Sequence, residues 1–196
     1  MSAGEKDSGV DLGTVFDTHM KAEFVTRDLD STMATMTDVP HLMHVPVMTG
    51  GYGRDEIRHF YGQYFIGHWP SDTKITPISR TIGQQRLVDE FIVSFTHDVE
   101  MPAILPGLAP TGRKVELPHV AVVGFIDNKI AYEHIYWDQA SLLVQIGLLD
   151  PGTLPVLGAA EAHKLLDPTL PSNQLIHRAE GKAANSQDKR GTAWQK

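Results

Sequence analysis

The segment VELPHVAVVGFI, residues 115–126, is followed by DNK at 127–129 and by IAYEHIYWD at 130–138. The first and third pieces are rich in β-branched and aromatic side chains, which favour strands. Asp and Asn tolerate the strained backbone of a tight turn. Together the three pieces predict an antiparallel hairpin of two long strands.

Outward from this hairpin, the spacing of apolar residues changes from a strand pattern to a helix pattern. Residues 74–81 and 86–97 have strand composition, and a proline-rich connection, 98–114, separates them from the hairpin. Residues 14–37 and 54–69 place apolar side chains at intervals of three and four, which predicts two helices. Two helices followed by antiparallel strands indicate an α+β fold, with helices packed on one face of a curved sheet.

Both ends of the chain are polar. We expect the first helix to begin with Thr14 as its N-cap, and residues 1–13 to form a disordered leader. After a short apolar helix at 140–149, residues 151–196 form a C-terminal extension that we expect to be partly disordered. Residues 1–13 and about 180–196 lack apolar periodicity, so we expect them to be dispensable for folding.

The composition excludes several functional classes. With 196 residues and a hydrophobic fraction of 41%, the chain is long and apolar enough for one ordinary core. A net charge of −7 without a basic face argues against nucleic-acid binding. No apolar run approaches the ~18 residues that a membrane helix needs. The absence of a secretory pattern and of cysteine favours a cytoplasmic location.

Four motifs occur in a recognisable order along the second half of the chain. They are Thr96-His97, PTGRKV at 110–115, the strand end EHIYWD at 133–138, and DQASLLVQIG at 138–147. In this order and spacing the chain resembles the SnoaL-like polyketide cyclase family over residues 14–150, most strongly over the last third of that range.

The resemblance implies both a fold and a type of chemistry. The family belongs to the superfamily of nuclear transport factor two and ketosteroid isomerase. Its fold is α+β, a cone-shaped, curved antiparallel sheet wrapped around N-terminal helices. SnoaL-like cyclases close a ring by an intramolecular aldol step without metal or organic cofactor. The connection 98–110 and the chain beyond residue 150 depart from the family pattern, so its substrates do not carry over.

Asp138 matches the Asp of the family pattern and is the first candidate acid/base residue. A dry pocket would raise the pKa of its carboxyl group toward a useful range. Strand alternation puts His134 and Tyr136 on its face, and Glu133 and Trp137 on the other. The alternative is that Asp138 only N-caps the following helix.

His97 also matches the family pattern, at a strand end beside Asp98, and is a second candidate acid/base residue. We assign Asp138, His97 and His134 as catalytic. The residues that we assign to substrate binding are His44, Trp69, Glu100, His119 and Tyr136. For each of these a purely structural role, in the core or on an exposed loop, is the alternative.

The ten histidines raise the question of a metal site. His41 and His44 have the spacing of two ligands on one helical turn, but prolines bound that segment. There is no HExxH motif and no cysteine. We therefore predict neither a metal nor a cofactor.

The function that we predict is acid/base chemistry of the cyclase or isomerase type on a hydrophobic, carbonyl-bearing small molecule. One alternative is a cofactor-free hydrolase of epoxides or lactones on the same fold, although no Arg between strand Asp residues and no G-x-S-x-G elbow is present. Another is a non-catalytic ligand-binding or dimerisation module. We expect a homodimer built on the outer face of the sheet.

Overall fold

The protein is described by a computed structural model that covers residues 11–181. In this range, no helix has the length and apolar character needed to cross a membrane. Most of the predicted leader, residues 1–10, and the tail, residues 182–196, lie outside the described residues.

The first third of the chain folds into short helices and two strands. Helix α1 spans Leu12–Lys21, α2 spans Leu29–Ala34, and α3 spans Arg54–Phe60. Strands β1 and β2 cover Met36–His44 and Thr49–Tyr52.

Two helices of this region continue as π-helical turns, Ala22–Thr26 after α1 and Tyr61–Phe65 after α3. Such turns are rare and occur often at functional sites. We call them the first and the second π turn.

The rest of the chain supplies four long strands and the last helices. Strands β3 and β4 cover Lys74–Ile82 and Arg86–Thr96, and β5 and β6 cover Lys114–Ile126 and Lys129–Trp137. The helices that follow are α4, Gln139–Gln145, α5, Ala160–Leu166, and a further helical stretch at 174–181.

The six strands form one curved, open sheet in the order β2-β1-β6-β5-β4-β3. Neighbouring strands are antiparallel except β1 and β6, which are parallel. The predicted α+β class with a curved sheet around N-terminal helices is confirmed. The sheet is mixed, rather than wholly antiparallel as had been predicted, because the segment after α2 extends into a strand, β1, that pairs in parallel with β6.

The predicted first helix is interrupted. Arg27 adopts a left-handed backbone (φ 52°), which ends the first π turn, and Asp28 caps α2 by accepting from the Ser31 N–H at 3.0 Å. The predicted N-cap at Thr14 was wrong. Asp11 caps α1 instead, through the N–H groups of Gly13 and Thr14. An Asp carboxylate is at least as good a cap as a Thr hydroxyl.

The hairpin that dominates the sequence forms as predicted. Asp127 and Asn128 both have positive φ, 50° and 58°, as a two-residue turn between twisted strands requires. The turn pairs Ile126 with Lys129 and Phe125 with Ile130. A bulge at Ala131 then shifts the register by one residue, so that Val122 pairs with His134 and His119 with Trp137.

The proline-rich connection between β4 and β5 is folded into the protein. Met101, Ala103, Ile104 and Leu105 are buried. The Thr49 hydroxyl donates to the Ala103 carbonyl at 2.6 Å, which ties this connection to β2. The connection therefore closes one end of the sheet.

Gly50 in β2 allows the close approach of two strands. Its φ is 136°, and a Cβ there would lie 2.0 Å from the Leu42 carbonyl oxygen. Gly107 also has positive φ, 76°, but a Cβ there would meet nothing within 4 Å.

We expect Gly107→Ala to cost roughly 1–2 kcal/mol from backbone strain alone. Gly50→Ala adds a backbone clash and should cost clearly more in urea unfolding. Equal losses for the two variants would contradict this explanation.

Candidate active site

A cavity of ≈ 40 Å³ lies between the inner face of the sheet and the N-terminal helical segments. Its walls are mainly aromatic and aliphatic, with Phe65 and Trp69 on the helical side and Phe91 on the sheet. Five ionisable side chains border it: Glu23, His44, Tyr61, His119 and Glu133.

Strand β6 presents Glu133, Ile135 and Trp137 to this cavity. His134 and Tyr136 lie on the opposite face, where Tyr136 is 43% exposed and His134 Nε2 is 3.4 Å from His41 Nδ1. The expectation that His134 and Tyr136 line the pocket was therefore wrong. Side chains do alternate along β6 as predicted. The prediction counted Asp138 as an inward-facing strand residue, although Asp138 follows β6 and caps α4. The inward and outward faces of β6 were therefore exchanged.

A fully buried group of ionisable side chains forms one wall of the cavity. His19 and Glu23 are one helical turn apart, and Glu133 reaches them from β6. His19 Nε2 lies 3.0 Å from Oε1 of Glu23, 3.0 Å from Oε1 of Glu133 and 3.2 Å from the Tyr61 hydroxyl. We call these four residues the His19 cluster.

The hydrogen bonds of Thr35 determine where His19 carries a proton. The Thr35 hydroxyl donates to the Thr32 carbonyl at 2.6 Å, so its oxygen accepts at 2.6 Å from the Nδ1–H of His19. Nδ1 is therefore protonated, and Nε2 is the nitrogen that faces the two carboxylates.

The two carboxylates decide the charge of His19. Burial lowers the pKa of its imidazole, but the charges of Glu133 and Glu23 together raise this pKa well above the usual value. The ring is thus an imidazolium between two acids. Burial, with the same two charges, raises the pKa of Tyr61 well above its usual value, so Tyr61 stays a neutral O–H donor.

One oxygen of this cluster is left without a hydrogen bond. Glu133 Oε1 is at ion-pair distance from His19 Nε2, yet no donor of the described chain is aligned with it well enough to bond. The Glu133 side chain is 3% exposed. A buried carboxylate oxygen without an aligned donor is costly and uncommon, and the residue that carries it, Glu133, lines the cavity.

The same residues have the composition of a metal site. The ligand atoms of His19, Glu23 and Glu133 all lie within 4.8 Å of one another. An anchored Nδ1–H is what metal-bound histidines usually have, and one nitrogen with two carboxylate oxygens suits a divalent first-row metal. The imidazolium accounts for the same short distances by charge alone. The expected absence of a metal stays a prediction.

Three residues assigned to substrate binding do border the cavity: His44, Trp69 and His119. Their place in the wall agrees with the assignment, and their role in binding stays a prediction. His44 packs on Phe65 with ring centroids 5.7 Å apart, and His119 packs on Phe91 at 5.6 Å.

Asp138 does not border the cavity. It caps α4, with Oδ1 accepting from the N–H groups of Ala140 at 2.8 Å and Ser141 at 3.2 Å. Its side chain lines an open groove beside α5, together with Glu161, whose pKa is raised by burial and by the charge of Asp138. The expectation that Asp138 faces the apolar cavity was wrong, and the alternative helix cap is what the structure has.

His97 and Glu100 also lie away from the cavity. His97 is buried under the connection between β4 and β5, where its Nδ1 is 3.2 Å from the Thr111 hydroxyl. Burial lowers its pKa, against the opposing charge of Asp98. Glu100 is exposed. The structure therefore does not bring Asp138, His97 and His134 together.

Sequence reasoning missed His19, Glu23, Tyr61 and the inward position of Glu133. One signal was present: His19 and Glu23 are four residues apart beside the apolar stripe of Phe16, Met20 and Phe24. An acid and a histidine at this spacing on the core side of a helix predict a buried polar pair.

Comparisons with known proteins identify the fold. A scan against protein-family models and a search of curated proteins found no match. Among solved structures, an NTF2-like protein of unknown function from Burkholderia pseudomallei K96243 is 17% identical and has a TM-score of 0.55, with 71% of this chain and 99% of that chain covered.

Two further structures point to the same fold. A SnoaL-like polyketide cyclase from Jannaschia sp. CCS1 is 15% identical over 75% of this chain and 100% of that chain, with a TM-score of 0.55. A protein with a ketosteroid isomerase-like fold from Catenulispora acidiphila DSM 44928, in complex with trimethylamine, is 13% identical over 69% and 93%, with a TM-score of 0.53. This chain therefore has the fold of the NTF2-like and ketosteroid isomerase-like proteins.

Replacing Asp138 separates a cap from an acid/base group. Asp138→Ala removes the acceptor for two N–H groups and should lower the free energy of unfolding by about 0.5–2 kcal/mol. Asp138→Asn keeps a capping oxygen and should unfold close to the wild type in urea. A loss for Asp138→Asn as large as that for Asp138→Ala would contradict the cap.

Proposed function

We propose that this protein is a cofactor-free acid/base enzyme of the SnoaL-like type, acting on a small hydrophobic carbonyl compound, with Glu133 as the base. The observation that carries the proposal is that Glu133 lines an apolar cavity and has a buried carboxylate oxygen with no aligned donor among residues 11–181. An oxygen of this kind is available to take a proton from a bound molecule.

The chemistry uses two groups of the His19 cluster. Glu133 removes a proton from the carbon next to the substrate carbonyl, and the C–H electron pair moves into the enolate. The neutral Tyr61 hydroxyl donates to the enolate oxygen as negative charge develops there. His19 holds Glu133 in place as its ion-pair partner. The enolate then either takes the proton back at another carbon or attacks a second carbonyl, which gives isomerisation or cyclisation.

The size of the cavity constrains the substrate. A volume of ≈ 40 Å³ is far below the roughly 300–1,000 Å³ of common ligand sites. Met20, Phe24 and Phe91 border both this cavity and an open groove of ≈ 480 Å³ on its outer side. Phe24 lies in the first π turn and is half-buried. Rotation of Phe24 would join the two spaces and admit a ring-sized molecule.

The comparisons support this proposal only through the fold. One solved neighbour is described as a SnoaL-like polyketide cyclase, and another binds trimethylamine, a small molecule. Hydrolysis of an epoxide or lactone, or ligand binding without catalysis, would use the same cavity. Hydrolysis would require Glu133 to activate water. Ligand binding alone would leave the charge of Glu133 without a chemical role.

The test is proton exchange at the carbon next to a carbonyl. Acetophenone and small cyclic enones in D₂O should gain deuterium faster with the protein, as followed by NMR. Glu133→Gln should slow this exchange by about 10²–10⁴-fold, the usual contribution of a general base. Asp138→Asn is the matched control and should exchange at the wild-type rate. Unchanged exchange in Glu133→Gln would remove the proposed base, and loss of exchange after chelation would contradict cofactor-free chemistry.

We also propose a homodimer through the outer face of the sheet. Val88 is 37% exposed and pairs with Val122, while Val120 pairs with Tyr136, which is 43% exposed. These four side chains form one half-exposed apolar patch, as interfaces of oligomers often have. Light scattering should give twice the chain mass of 21.6 kDa.

A charge in the middle of this patch should separate the two subunits. Val120→Glu should give the monomer mass, and Val25→Glu, at a side chain 72% exposed elsewhere, should not. A monomeric wild type at micromolar concentration would overturn the dimer. A cytoplasmic location likewise remains a proposal, drawn from the sequence pattern.

A further inference from the structure

Two histidines of the cavity have no part in the proposed proton transfer. His44 comes from the end of β1 and His119 from the middle of β5. Both side chains line the cavity, and both rings contact Trp137, with centroid distances of 5.6 and 5.4 Å. Both are buried, with 4% exposure each. They therefore face the same space, beyond the His19 cluster.

The proton of His44 is fixed by a short chain of hydrogen bonds. Thr49 Oγ1 donates its only proton to the Ala103 carbonyl at 2.6 Å. The same oxygen lies 3.0 Å from His44 Nδ1, so it accepts from an Nδ1–H. In the neutral ring, Nε2 then carries the lone pair.

His119 also carries its proton on Nδ1, but through a direct contact with a main-chain carbonyl. Its Nδ1 lies 2.9 Å from the Leu117 carbonyl oxygen, which only accepts, so Nδ1 carries the proton. Within residues 11–181, neither His44 Nε2 nor His119 Nε2 has a hydrogen-bond partner. Each ring is held in plane by stacking, His44 on Phe65 at 18° and His119 on Phe91 at 13°.

Both rings remain neutral in the physiological pH range. Burial lowers the pKa of His44 to about 3, and the neighbouring His119 adds to the effect. Burial lowers the pKa of His119 to about 4, against the opposing Leu117 carbonyl. A protonated Nε2–H, which would be a donor, is thus absent at neutral pH. The two Nε2 atoms are acceptors.

We infer that His44 and His119 form a paired acceptor that selects a substrate carrying a hydroxyl group in addition to its carbonyl. A carbonyl or ether oxygen placed against two lone pairs would be repelled, whereas an O–H donates to one of them. Tyr61 is the donor for the carbonyl, so the two ends of the cavity recognise opposite partners. The substrate class is that of hydroxylated ketones and enols. The carbonyl part rests on the proposed function; selection of the hydroxyl does not.

The protonation pattern is tested first on the wild-type protein without ligand. Nitrogen-15 NMR of the imidazole rings at pH 7 distinguishes protonated from unprotonated ring nitrogens. For His44 and His119 we expect a protonated Nδ1 and an unprotonated Nε2. A protonated Nε2 on both rings would overturn the inference before any ligand is tried.

Selection is tested with isosteric ligand pairs. The 2′-, 3′- and 4′-hydroxyacetophenones are compared with the matching methylacetophenones, in which a methyl group of similar size replaces the hydroxyl. The wild type should bind at least one hydroxyl isomer about tenfold more tightly than its methyl partner, as expected for one buried hydrogen bond to a neutral acceptor. Binding of that isomer should also shift the Nε2 resonance of His44 or His119.

Variants identify the acceptor. His44→Phe and His119→Phe keep an aromatic ring but remove Nε2, and at least one should abolish the hydroxyl preference while methyl-ligand affinity stays the same. The exposed His59, changed to Phe, is the control. If either variant fails to fold, the wild-type ligand pairs still decide. Methyl ligands that bind as tightly as hydroxyl ligands, or hydroxyl ligands that do not bind at all, overturn the proposal. Failure of the proposed base appears separately, as unchanged deuterium exchange in Glu133→Gln.

Discussion

The contact of His19 with Glu133 joins the first helix to the last strand, and the interior is arranged around it. Removing two charged groups from water costs several kcal/mol per ion, which one ion pair seldom recovers. Here Glu23 supplies a second negative charge, and Thr35 and Tyr61 bond the ring. Apolar residues of similar volume would stabilise the fold as well or better. The proposed role of Glu133 as a base gives the cluster a reason that stability alone does not.

Three buried histidines are anchored in the same way through Nδ1 but carry different charges. In His19, His44 and His119, Nδ1–H is bound to a main-chain carbonyl, directly or through a threonine hydroxyl. Of the three, only His19 has carboxylates at its Nε2, so only its pKa is raised. Burial lowers the pKa of the other two, and His119 adds to the lowering at His44. The neighbours of Nε2, rather than the residue type, determine whether each histidine is a cation or an acceptor.

The sequence predicted what depends on local periodicity. The hairpin at residues 115–138, the strands before it and the α+β class follow from β-branched runs, turn residues and helical spacing. It did not predict the phase of the last strand, because Asp138 was taken as a strand residue although it caps a helix. A cap residue obeys the geometry of the helix, so alternation cannot be extended through it. Because of this one misassigned residue, His134 was predicted to face inward, whereas Glu133 does so.

The rest of the site depends on contacts between distant parts of the chain. His19 and Glu133 are far apart in sequence, and their contact exists only in the folded chain. The connection between β4 and β5 departs from the family pattern, and it contributes Ile104 to the cavity wall and bonds β2 through Ala103. Such contacts arise from the topology of the sheet, which brings β1 beside β6.

The cavity beside the proposed base is small and lined by buried side chains, which limits access to it. A volume of ≈ 40 Å³ admits little water, and electrostatic interactions are stronger where water is scarce. The same small volume keeps a ring-sized substrate out. The wall toward the outer groove is formed in part by the first π turn, whose Phe24 packs edge-on against Phe65 and Trp69 at 5.6 and 5.1 Å. Phe24 of the first π turn separates the cavity from the outer groove, and Glu23 of the same turn belongs to the His19 cluster. In the proposed mechanism, one short segment of the chain therefore carries both a wall of the entrance and a charge beside the base.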